Sequence, residues 1–262
     1  MGETGQDSGT GLPASIEAAW GLRQRPAKGP KPGLSLDRIV KAALRIGRAD
    51  GLAAVSMSRV AAELGASTMA LYRYVAAKDE LIALMVDMGM GPPPAAPASD
   101  EGWRAGLAQW AWAERALLRK DQWVLGALFG GLPSTPNQIA WLERGLSCLR
   151  GTGLAEHEKL SVILLITSYV RMEVALSADV KATFEASGAS AQEAMSAYGH
   201  LLAKLTDAQR FPALHAVIEA GVFDREDDPD DEFVFGLDRI LDGIEALVRA
   251  RAKGRPLATP KT

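Results

Sequence analysis

Side chains able to perform covalent chemistry are few in this chain, and their surroundings do not favour it. The residues that could pair a nucleophile with a base are Cys148 with His157 and Ser168 with His200. Neither nucleophile stands in the strand-to-helix turn that exposes an activated serine or cysteine. Cys148 falls in an amphipathic helical stretch, where a buried, inert thiol is the usual result. The sequence does not predict an enzyme, and catalysis remains only the weakest alternative.

Metal and phosphate chemistry is equally poorly supported. The three histidines, at 157, 200 and 215, and Cys148 do not follow any spacing of zinc ligands. The acidic stretch DREDDPDDE, residues 224–232, lacks the glycine and glutamate positions of a calcium-binding loop. The GTG at 151–153 is not followed by the Lys and Ser or Thr of a phosphate loop. We therefore expect neither a metal nor a cofactor.

Positive charge is concentrated in one part of the chain, although the net charge over 262 residues is −3. Residues 23–88 contain eleven basic and six acidic residues, a net charge of +5. Residues 1–22 contain three acids and no base, and residues 89–262 have a net charge of −5. A basic segment joined to an acidic body is typical of a small polyanion-binding domain on a larger partner. An ordinary solvated surface could give the same pattern, so charge alone leaves both interpretations open.

The overall composition is that of a globular protein of a reducing compartment. Apolar residues make up 48% of the chain and charged residues 23%. No apolar run approaches the roughly 18 residues of a membrane-spanning helix, and MGETGQDSGTGLPAS at the N-terminus does not resemble a signal peptide. The single cysteine excludes an internal disulfide. We expect a cytoplasmic protein with no membrane partner.

Four short helices are predicted in residues 34–88. Ser35 is a good N-cap for the first helix, and Asp50-Gly51 ends it. The fourth begins near Lys78 and runs to about Met88. Between these two lies a pair of helices that carry the most informative pattern in the chain.

The second and third helices have the pattern of a helix-turn-helix. Ser56 and Ser67 are their N-caps, and Gly65 supplies the turn with a positive φ angle. The positions expected to face inward are Val60, Ala61, Leu64, Leu71, Tyr74 and Val75. The major groove of B-DNA admits one α-helix, and a tight turn lets the preceding helix brace it. A plain helical hairpin in an all-α core is the alternative.

The segment before the first helix is predicted to be a flexible extension that ends in a basic arm. Residues 1–14 are expected to be disordered, although SIEAAWGL could form two turns of helix. The arm RQRPAKGPKPG, residues 23–33, has four basic residues, three prolines and two glycines, so it cannot be helical. Its basic residues, which we expect to reach phosphate or the adjacent minor groove, are Arg23, Arg25, Lys28 and Lys31.

The rest of the chain is also predicted to be helical, which makes the fold class all-α. The segments expected to form helices are 101–120, 122–129, 136–149, 155–178, 190–205, 212–220 and 231–251. The predicted domains are the N-terminal extension 1–33, the helix-turn-helix domain 34–88, the linker 89–100, a larger helical domain 101–252 and a flexible tail 253–262. The linker, GMGPPPAAPASD, is rich in residues that break helices.

Residues 34–87 closely resemble the N-terminal domain of the TetR (tetracycline repressor) family of transcriptional regulators. The resemblance covers the first helix, the DG turn, VSMSRVAAELG, the LYRYV recognition helix and the KDEL start of the fourth helix. The stretch from ALLRKDQWVLGALFGG to LERGLSCLRGTGLAEHEKLSVILLITSYV is similar, more loosely, to the ligand-binding region of the tetracycline-repressor branch.

The resemblance implies which residues contact DNA. The base-reading positions are Ser67, Thr68, Met69 and Ala70, and the phosphate-gripping positions are Tyr72 and Lys78. Ser58 and Arg59 stand where the preceding helix reaches the backbone and neighbouring bases, and Arg73 and Tyr74 complete the set. Met69 and Ala70 are apolar, so base reading there would rest on thymine methyl groups. The sequence departs from the family pattern at two places. Ala66 replaces the usual valine, and AAKDE lacks the Asn, Ser, Gly or Pro that usually precedes the lysine.

The resemblance also implies a two-fold homodimer formed by two late helices of each subunit. The candidates are residues 155–178 and 231–251, whose apolar residues include Leu160, Ile163, Leu164, Val170, Val174, Phe235, Leu237, Leu241, Ile244 and Leu247. Packing inside one subunit would explain the same residues, and in part must do so.

An effector site is expected in the larger domain, which contains five of the six tryptophans, at 103, 110, 112, 123 and 141. The residues expected to contribute to its lining are Gln109, Trp110, Trp123, Phe129, Trp141, Tyr169 and Met172. Arg171 and Glu173 could be a polar anchor or, equally, an interface ion pair. Tetracycline itself is not expected, because its magnesium chelate is held by histidines and residues 1–156 contain none.

The function predicted is that of a ligand-responsive transcriptional repressor. It would bind a palindromic operator in double-stranded DNA as a homodimer and be released by a small apolar or amphipathic effector. The alternative is a DNA-binding regulator or architectural protein without a small-molecule effector.

Overall fold

A computed structural model describes residues 10–23, 33–95, 102–127, 132–188, 190–226 and 228–254. Every regular element in these ranges is a helix, which confirms the all-α prediction. The chain divides into two compact units, Met1–Leu164 and Leu165–Thr262.

The helices of the first unit follow the chain in order. They are α1 (Ala14–Ala19), α2 (Leu36–Asp50), α3 (Met57–Glu63), α4 (Thr68–Tyr72), α5 (Lys78–Met90), α6 (Gly102–Lys120), α7 (Pro136–Cys148) and the start of α8 (Glu156–Ser187), with short 3-10 turns at Leu52–Ala54 and Gln122–Val124. The second unit contains the rest of α8, α9 (Ala191–Leu205), α10 (Pro212–Glu219), a 3-10 turn at Val222–Asp224 and α11 (Asp231–Ala252).

The helix-turn-helix part is built around a continuous apolar core. Its fully buried side chains, each with no accessible surface, include Ile39, Val55, Val60, Leu71, Val75, Leu81 and Met85, which come from α2, α3, α4, α5 and the segments between them. The predicted caps are present, because the side-chain oxygens of Ser35, Ser56 and Ser67 each accept a hydrogen bond from a backbone N–H three residues later. Local sequence therefore sets where these helices begin.

Helix α1 belongs to this core, which differs from the flexible extension predicted for residues 1–33. Ile16 is 3% exposed and lies in the same apolar cluster. The Ser15 hydroxyl donates to the Glu80 carboxylate (2.6 Å), which in turn accepts from the backbone N–H of Ala76 (3.2 Å) at the start of α5. Glu80 thus satisfies a backbone N–H at a helix start where Ala77 provides no side-chain cap. Most of the basic arm, residues 24–32, lies outside the described residues.

The end of α6 packs against the helix-turn-helix part through Trp123. A Cβ atom added to Gly47 of α2 or Gly89 of α5 would lie 3.8 Å and 3.2 Å from the Trp123 ring, so both helices approach the indole closely. Arg48 binds the Asp121 carboxylate with two hydrogen bonds of 2.7 Å, and the Trp123 indole N–H donates to the same carboxylate (3.1 Å). Asp121 is almost fully buried. These contacts connect α6 to both outer helices of the helix-turn-helix part.

Acid is expected to weaken this connection. The Arg48 hydrogen bonds hold the pKa of Asp121 below its ordinary value, although burial raises it, and the Trp123 hydrogen bond lowers it further. A carboxyl group with a lower pKa in the folded protein stabilises it above the unfolded pKa of about 3.9, and this is lost as pH falls through the folded value. Asp121→Asn should therefore lower the free energy of unfolding by about 1–3 kcal/mol near pH 7.

Urea unfolding at several pH values tests this expectation. The difference between wild type and Asp121→Asn should shrink steadily from about pH 5 to about pH 3. Asp37→Asn is the matched control, because Asp37 is 59% exposed and pairs with exposed Lys41, and it should change stability by less than about 1 kcal/mol. A deficit in Asp121→Asn that stays constant across this range would contradict the assignment.

Helices α6 and α7 form a second apolar cluster in the first unit. Trp110 and Trp141 are 2% and 5% exposed, and the Trp110 indole N–H donates to the Trp141 carbonyl oxygen (3.1 Å). Gly145 lets the helices approach, since a Cβ atom there would lie 2.8 Å from Ile163 and 3.1 Å from the Trp110 ring. The Trp141 indole N–H reaches the carbonyl oxygen of Gly91, just after α5 (3.0 Å).

Helix α8 is longer than predicted and more apolar than expected. It continues to Ser187 because no helix breaker precedes Gly188, whose φ angle is +72°. Residues 156–180 have a mean hydropathy of 1.6 and are 28% buried, so by length and composition this helix could cross a membrane. No such segment was predicted from the sequence. The core helix of a soluble protein meets the same criterion.

In the second unit, α8 and α11 pack closely beside Gly236. A Cβ atom added to Gly236 would overlap the Tyr169 side chain, whose hydroxyl donates to the carbonyl oxygens of Glu232 and Phe233 (3.0 and 3.1 Å). The Tyr169 and Phe233 rings stack with centroids 5.8 Å apart. Tyr169 therefore has a role in packing two helices of the same unit.

The candidate dimer residues divide into two sets. Those buried within the subunit are Ile163, Val170, Val174, Leu237, Leu241 and Ile244. Leu160, Leu164 and Phe235 are exposed, and Leu247 is partly exposed. The periodicity identified the apolar helices correctly, but it could not separate their inner faces from their outer ones because both faces are apolar.

Candidate nucleic-acid interface

The turn between α3 and α4 has the hydrogen bonds of a Schellman motif. The backbone N–H of Ala66 donates to the carbonyl oxygen of Ala61 (2.9 Å), and that of Gly65 donates to Ala62 (3.1 Å). Gly65 has the predicted positive φ angle, +62°, and a Cβ atom there would meet no neighbour. The glycine is thus required by backbone conformation rather than by space. The motif ends α3 sharply and fixes the direction in which α4 leaves.

Helix α4 presents a mixed surface beyond this turn. Leu71 is fully buried and anchors the helix, whereas Met69 is 73% exposed and Tyr72 is 44% exposed. Ser67 and Arg73 are also exposed, and Thr68 and Ala70 are partly exposed. A methionine exposed to this extent on a five-residue helix does not contribute to the core. The base-reading residues implied by the sequence therefore lie on the accessible side of α4.

Three exposed cations belong to the same domain as this surface. Within the described part of the chain, no carboxylate pairs with Arg38, Arg73 or Lys78, and all three are exposed. Other basic residues of the same domain are engaged, since Lys41 pairs with Asp37 and Arg45 with Glu63. The exposed, unpaired cations are available for phosphate groups.

Two of the predicted DNA-binding residues have partners in the protein. Arg59 pairs with Asp50, although both side chains are about half exposed and could separate. Tyr74 is partly buried, packs against the apolar core, and its hydroxyl donates to the carbonyl oxygen of Leu34 (3.0 Å). The structure therefore places Tyr74 where it positions α4 against the start of α2. Ser58 is exposed and its hydroxyl lies 3.1 Å from that of Ser56.

The residues predicted to line an effector site are distributed over different places. Trp110 and Trp141 meet between α6 and α7, whereas Trp123 contacts α2 and α5. Gln109 is exposed, and Phe129 lies outside the described residues. In the other unit, Tyr169 packs on α11 and Met172 is 66% exposed.

Two charged residues on α6 were not identified from the sequence. Glu114 and Arg115 are 5% and 2% exposed in the middle of the helix, and the Arg115 guanidinium lies 5.2 Å from the centre of the Trp112 ring. Buried charges are costly unless they are paired or bind a ligand. The sequence pattern could have indicated these two residues. They lie on the same side of α6 as the buried apolar residues Trp110, Ala111 and Leu118, where a charged residue is unusual.

Comparison with known proteins identifies the family. Residues 39–85 match the bacterial regulatory proteins of the tetR family, and residues 96–248 match the tetracyclin repressor-like C-terminal domain. The second match alone covers more than half of the chain. The chain belongs to the TetR family. TetR-family membership agrees with the resemblance of residues 34–87 and extends it through the larger helical part.

Similar proteins are found in Streptomyces. The HTH-type transcriptional repressor DrrR1 of Streptomyces coeruleorubidus is 38% identical over 249 residues, which cover 94% of this chain and 90% of DrrR1. ActR of Streptomyces coelicolor in complex with actinorhodin is 26% identical with a TM-score of 0.70, over 82% of this chain and 97% of ActR. Apo ActR is 25% identical with a TM-score of 0.69, over 86% and 100% of the two chains.

These comparisons establish the class of function. This TetR-family chain is a DNA-binding transcriptional repressor and not an enzyme. The helix-turn-helix interpretation was therefore correct, and the plain helical hairpin was not. The individual DNA contacts and the effector-lining residues remain predictions.

Proposed function

We propose that this repressor binds a palindromic operator in the cytoplasm as a homodimer, and leaves it when a small apolar or amphipathic molecule binds in its helical body. The observation that carries the proposal is the exposed face of α4, where Met69 and Tyr72 are accessible. Arg73 and Lys78 are also exposed, and neither pairs with a carboxylate of the described residues. An α-helix of this kind fits the major groove, where side chains reach base edges while cations hold phosphates.

Exposed apolar residues on α8 support the homodimer. Leu165, Met172 and Leu176 are 51%, 66% and 62% exposed, and their spacing of seven and four residues puts them on one face of the helix. A stripe of this kind in a soluble protein indicates a protein contact. A second copy of the same chain would cover both stripes in a closed two-fold interface. A second copy packed on this face would also explain why α8 is so apolar, without requiring a membrane.

The effector site is proposed for the region of α6 that carries Trp110, Glu114 and Arg115. Binding pockets combine apolar walls with a few fixed polar groups, and these residues provide both within two turns of α6. ActR, a relative of similar fold, has been seen with actinorhodin bound. Asp121 and Trp123 follow directly after the end of α6. Because Asp121 binds Arg48 of α2 and Trp123 lies against α2 and α5, a shift of α6 would be transmitted to the helix-turn-helix part.

Substitutions on α4 and α5 are expected to divide into two classes. Thr68→Ala or Met69→Ala should change the preference at particular base pairs, each with a cost of about 1–3 kcal/mol. Lys78→Ala and Tyr72→Phe should instead weaken binding to all sequences alike, and Lys78→Ala should lower the slope of log K against log salt by about 0.9 for each lost phosphate contact. Selection of bound duplexes from a random pool, followed by titrations at several salt concentrations, measures both effects.

The control is Lys41→Ala, because Lys41 is exposed on the same domain but already paired with Asp37. It should leave both the preferred motif and the salt slope unchanged. The division of roles is wrong if Met69→Ala lowers affinity without changing the selected motif, or if Lys78→Ala changes the motif without changing the slope.

A further inference from the structure

A cavity of about 530 Å³ lies beside α1, apart from the α6 region proposed for the effector. Its apolar lining comes from three helices that are far apart in sequence: Ala18 and Ala19 of α1, Leu36 and Val40 of α2, and Leu84 and Met88 of α5. This volume is within the range of sites that hold small organic molecules, about 300–1,000 Å³. Without α1, one wall of this cavity would be missing.

The polar groups of the cavity leave one negative charge without a counter-charge. Arg23 is neutralised by Glu17 (2.6 Å), and Asp37 by Lys41 (2.9 Å). The remaining charged group is Asp87, which is 9% exposed.

Asp87 is held by neutral donors only. Its carboxylate accepts hydrogen bonds from the backbone N–H of Asn137 (2.7 Å) and from the Asn137 side-chain amide (3.1 Å). No cation of the described residues pairs with it. A carboxylate that is nine-tenths buried is costly unless a cation compensates it, and amide hydrogen bonds compensate only in part.

We propose that this cavity is a second small-molecule site, and that it takes a lipophilic amine. The apolar walls fit an aromatic or aliphatic group, and a protonated amine would supply the cation that Asp87 lacks. An ammonium-to-carboxylate hydrogen bond in such a partly enclosed place is stronger than one between neutral groups. The ligand would contact α1, α2, α5 and the first turn of α7 at once.

Three probes that share the indole ring test the chemistry. Tryptamine carries a protonated amine, tryptophol is its neutral alcohol analogue, and indole-3-propionate is an anion. Binding to the full-length protein is followed by methyl NMR, with signals from Leu36, Val40, Leu84 and Met88 as reporters of the cavity. Tryptamine should shift these signals, tryptophol should bind at least about tenfold weaker because it lacks the charged contact, and indole-3-propionate should not bind.

Two substitutions of lining carboxylates provide a matched pair. Asp87→Asn should reduce tryptamine affinity to that of tryptophol, whereas Asp37→Asn should change it less than about threefold, since Asp37 is exposed and already paired. Ala18→Leu fills the cavity from α1 and leaves every polar group in place, so it should weaken both probes. Melting temperatures and operator binding of the variants show whether the fold is retained.

The outcomes separate the possibilities. Equal affinity for tryptamine and tryptophol, or loss of binding in Asp37→Asn but not in Asp87→Asn, would overturn the assignment of the amine to Asp87. Tryptamine shifts confined to α6 residues such as Leu107 and Leu118 would show that the probe uses the effector region instead. The absence of any shift at millimolar tryptamine would mean that the cavity is not a site for this class of molecule.

Discussion

A double substitution in the exposed stripe of α8, Leu165→Glu with Leu176→Glu, is expected to leave the protein monomeric and to lower operator affinity by about 10³-fold or more. Both side chains are more than half exposed in the single chain, so the substitutions should not disturb the subunit core. In a two-fold interface each new carboxylate would lie close to apolar groups and to its own copy. Burying such charges without partners would prevent association.

Loss of the dimer explains the size of the expected effect. A monomer has one helix-turn-helix domain and therefore retains only half of the base and phosphate contacts. The affinity of specific binding typically exceeds that of non-specific binding by a factor of 10³–10⁷. Light scattering coupled to size exclusion measures the mass, and titration of an operator-containing duplex measures the affinity. Leu132→Glu is the control, because Leu132 is 91% exposed and lies outside α8. A variant that stays dimeric would show that this stripe is not the interface.

Saturating effector is expected to lower operator affinity about 100-fold, and operator to lower effector affinity about tenfold at each of two sites. Shifting a dimer from 99% to 1% competent for DNA requires about 5.5 kcal/mol of differential binding, which two sites can share. The operator affinity is proportional to the fraction of dimers that can bind DNA, so it falls by the ratio of 99% to 1%. Linkage then requires that bound operator lowers the combined effector affinity of the two sites by the same total factor.

Calorimetry with and without operator measures this coupling once a thermal-shift screen has found an effector, because a bound ligand raises the melting temperature. Arg115→Met removes the buried charge of α6 at similar length and should weaken an effector that uses this polar group. Trp123→Phe should leave effector affinity in the free protein almost unchanged but reduce the coupling, because Trp123 contacts α2 and α5. Equal effector affinity with and without operator would show that the bound molecule is not the inducer.

The elements that sequence predicted well are those that local interactions determine. Three helices begin at serine caps, each of which accepts a hydrogen bond from a backbone N–H three residues later: Ser35, Ser56 and Ser67. Gly65 has the positive φ angle that its turn requires. Such features involve residues within five positions of one another. A single sequence therefore gave their positions to within a residue or two.

The features that sequence did not predict depend on contacts between distant segments. Ile16 becomes a core residue only because helices from later in the chain surround it. The close packing of Trp123 on α5 depends on Gly89, where a Cβ atom would lie 3.2 Å from its ring. Tyr74 was predicted to face inward, but the sequence did not show that its hydroxyl reaches the carbonyl oxygen of Leu34 across the domain. Periodicity contains no information about such distances.

Helix α1 also has a consequence for the order in which the nascent protein becomes ordered. Ser15 bonds to Glu80, 65 residues later, and the Trp20 indole bonds to the carbonyl oxygen of Ser134, 114 residues later. At about 5–20 residues per second, these partners are synthesised about 3–13 s and about 6–23 s after α1. Helix α1 is therefore made before two of the groups that hold it against the rest of the first unit. A fusion partner at the N-terminus would be carried through this whole interval on an undocked helix.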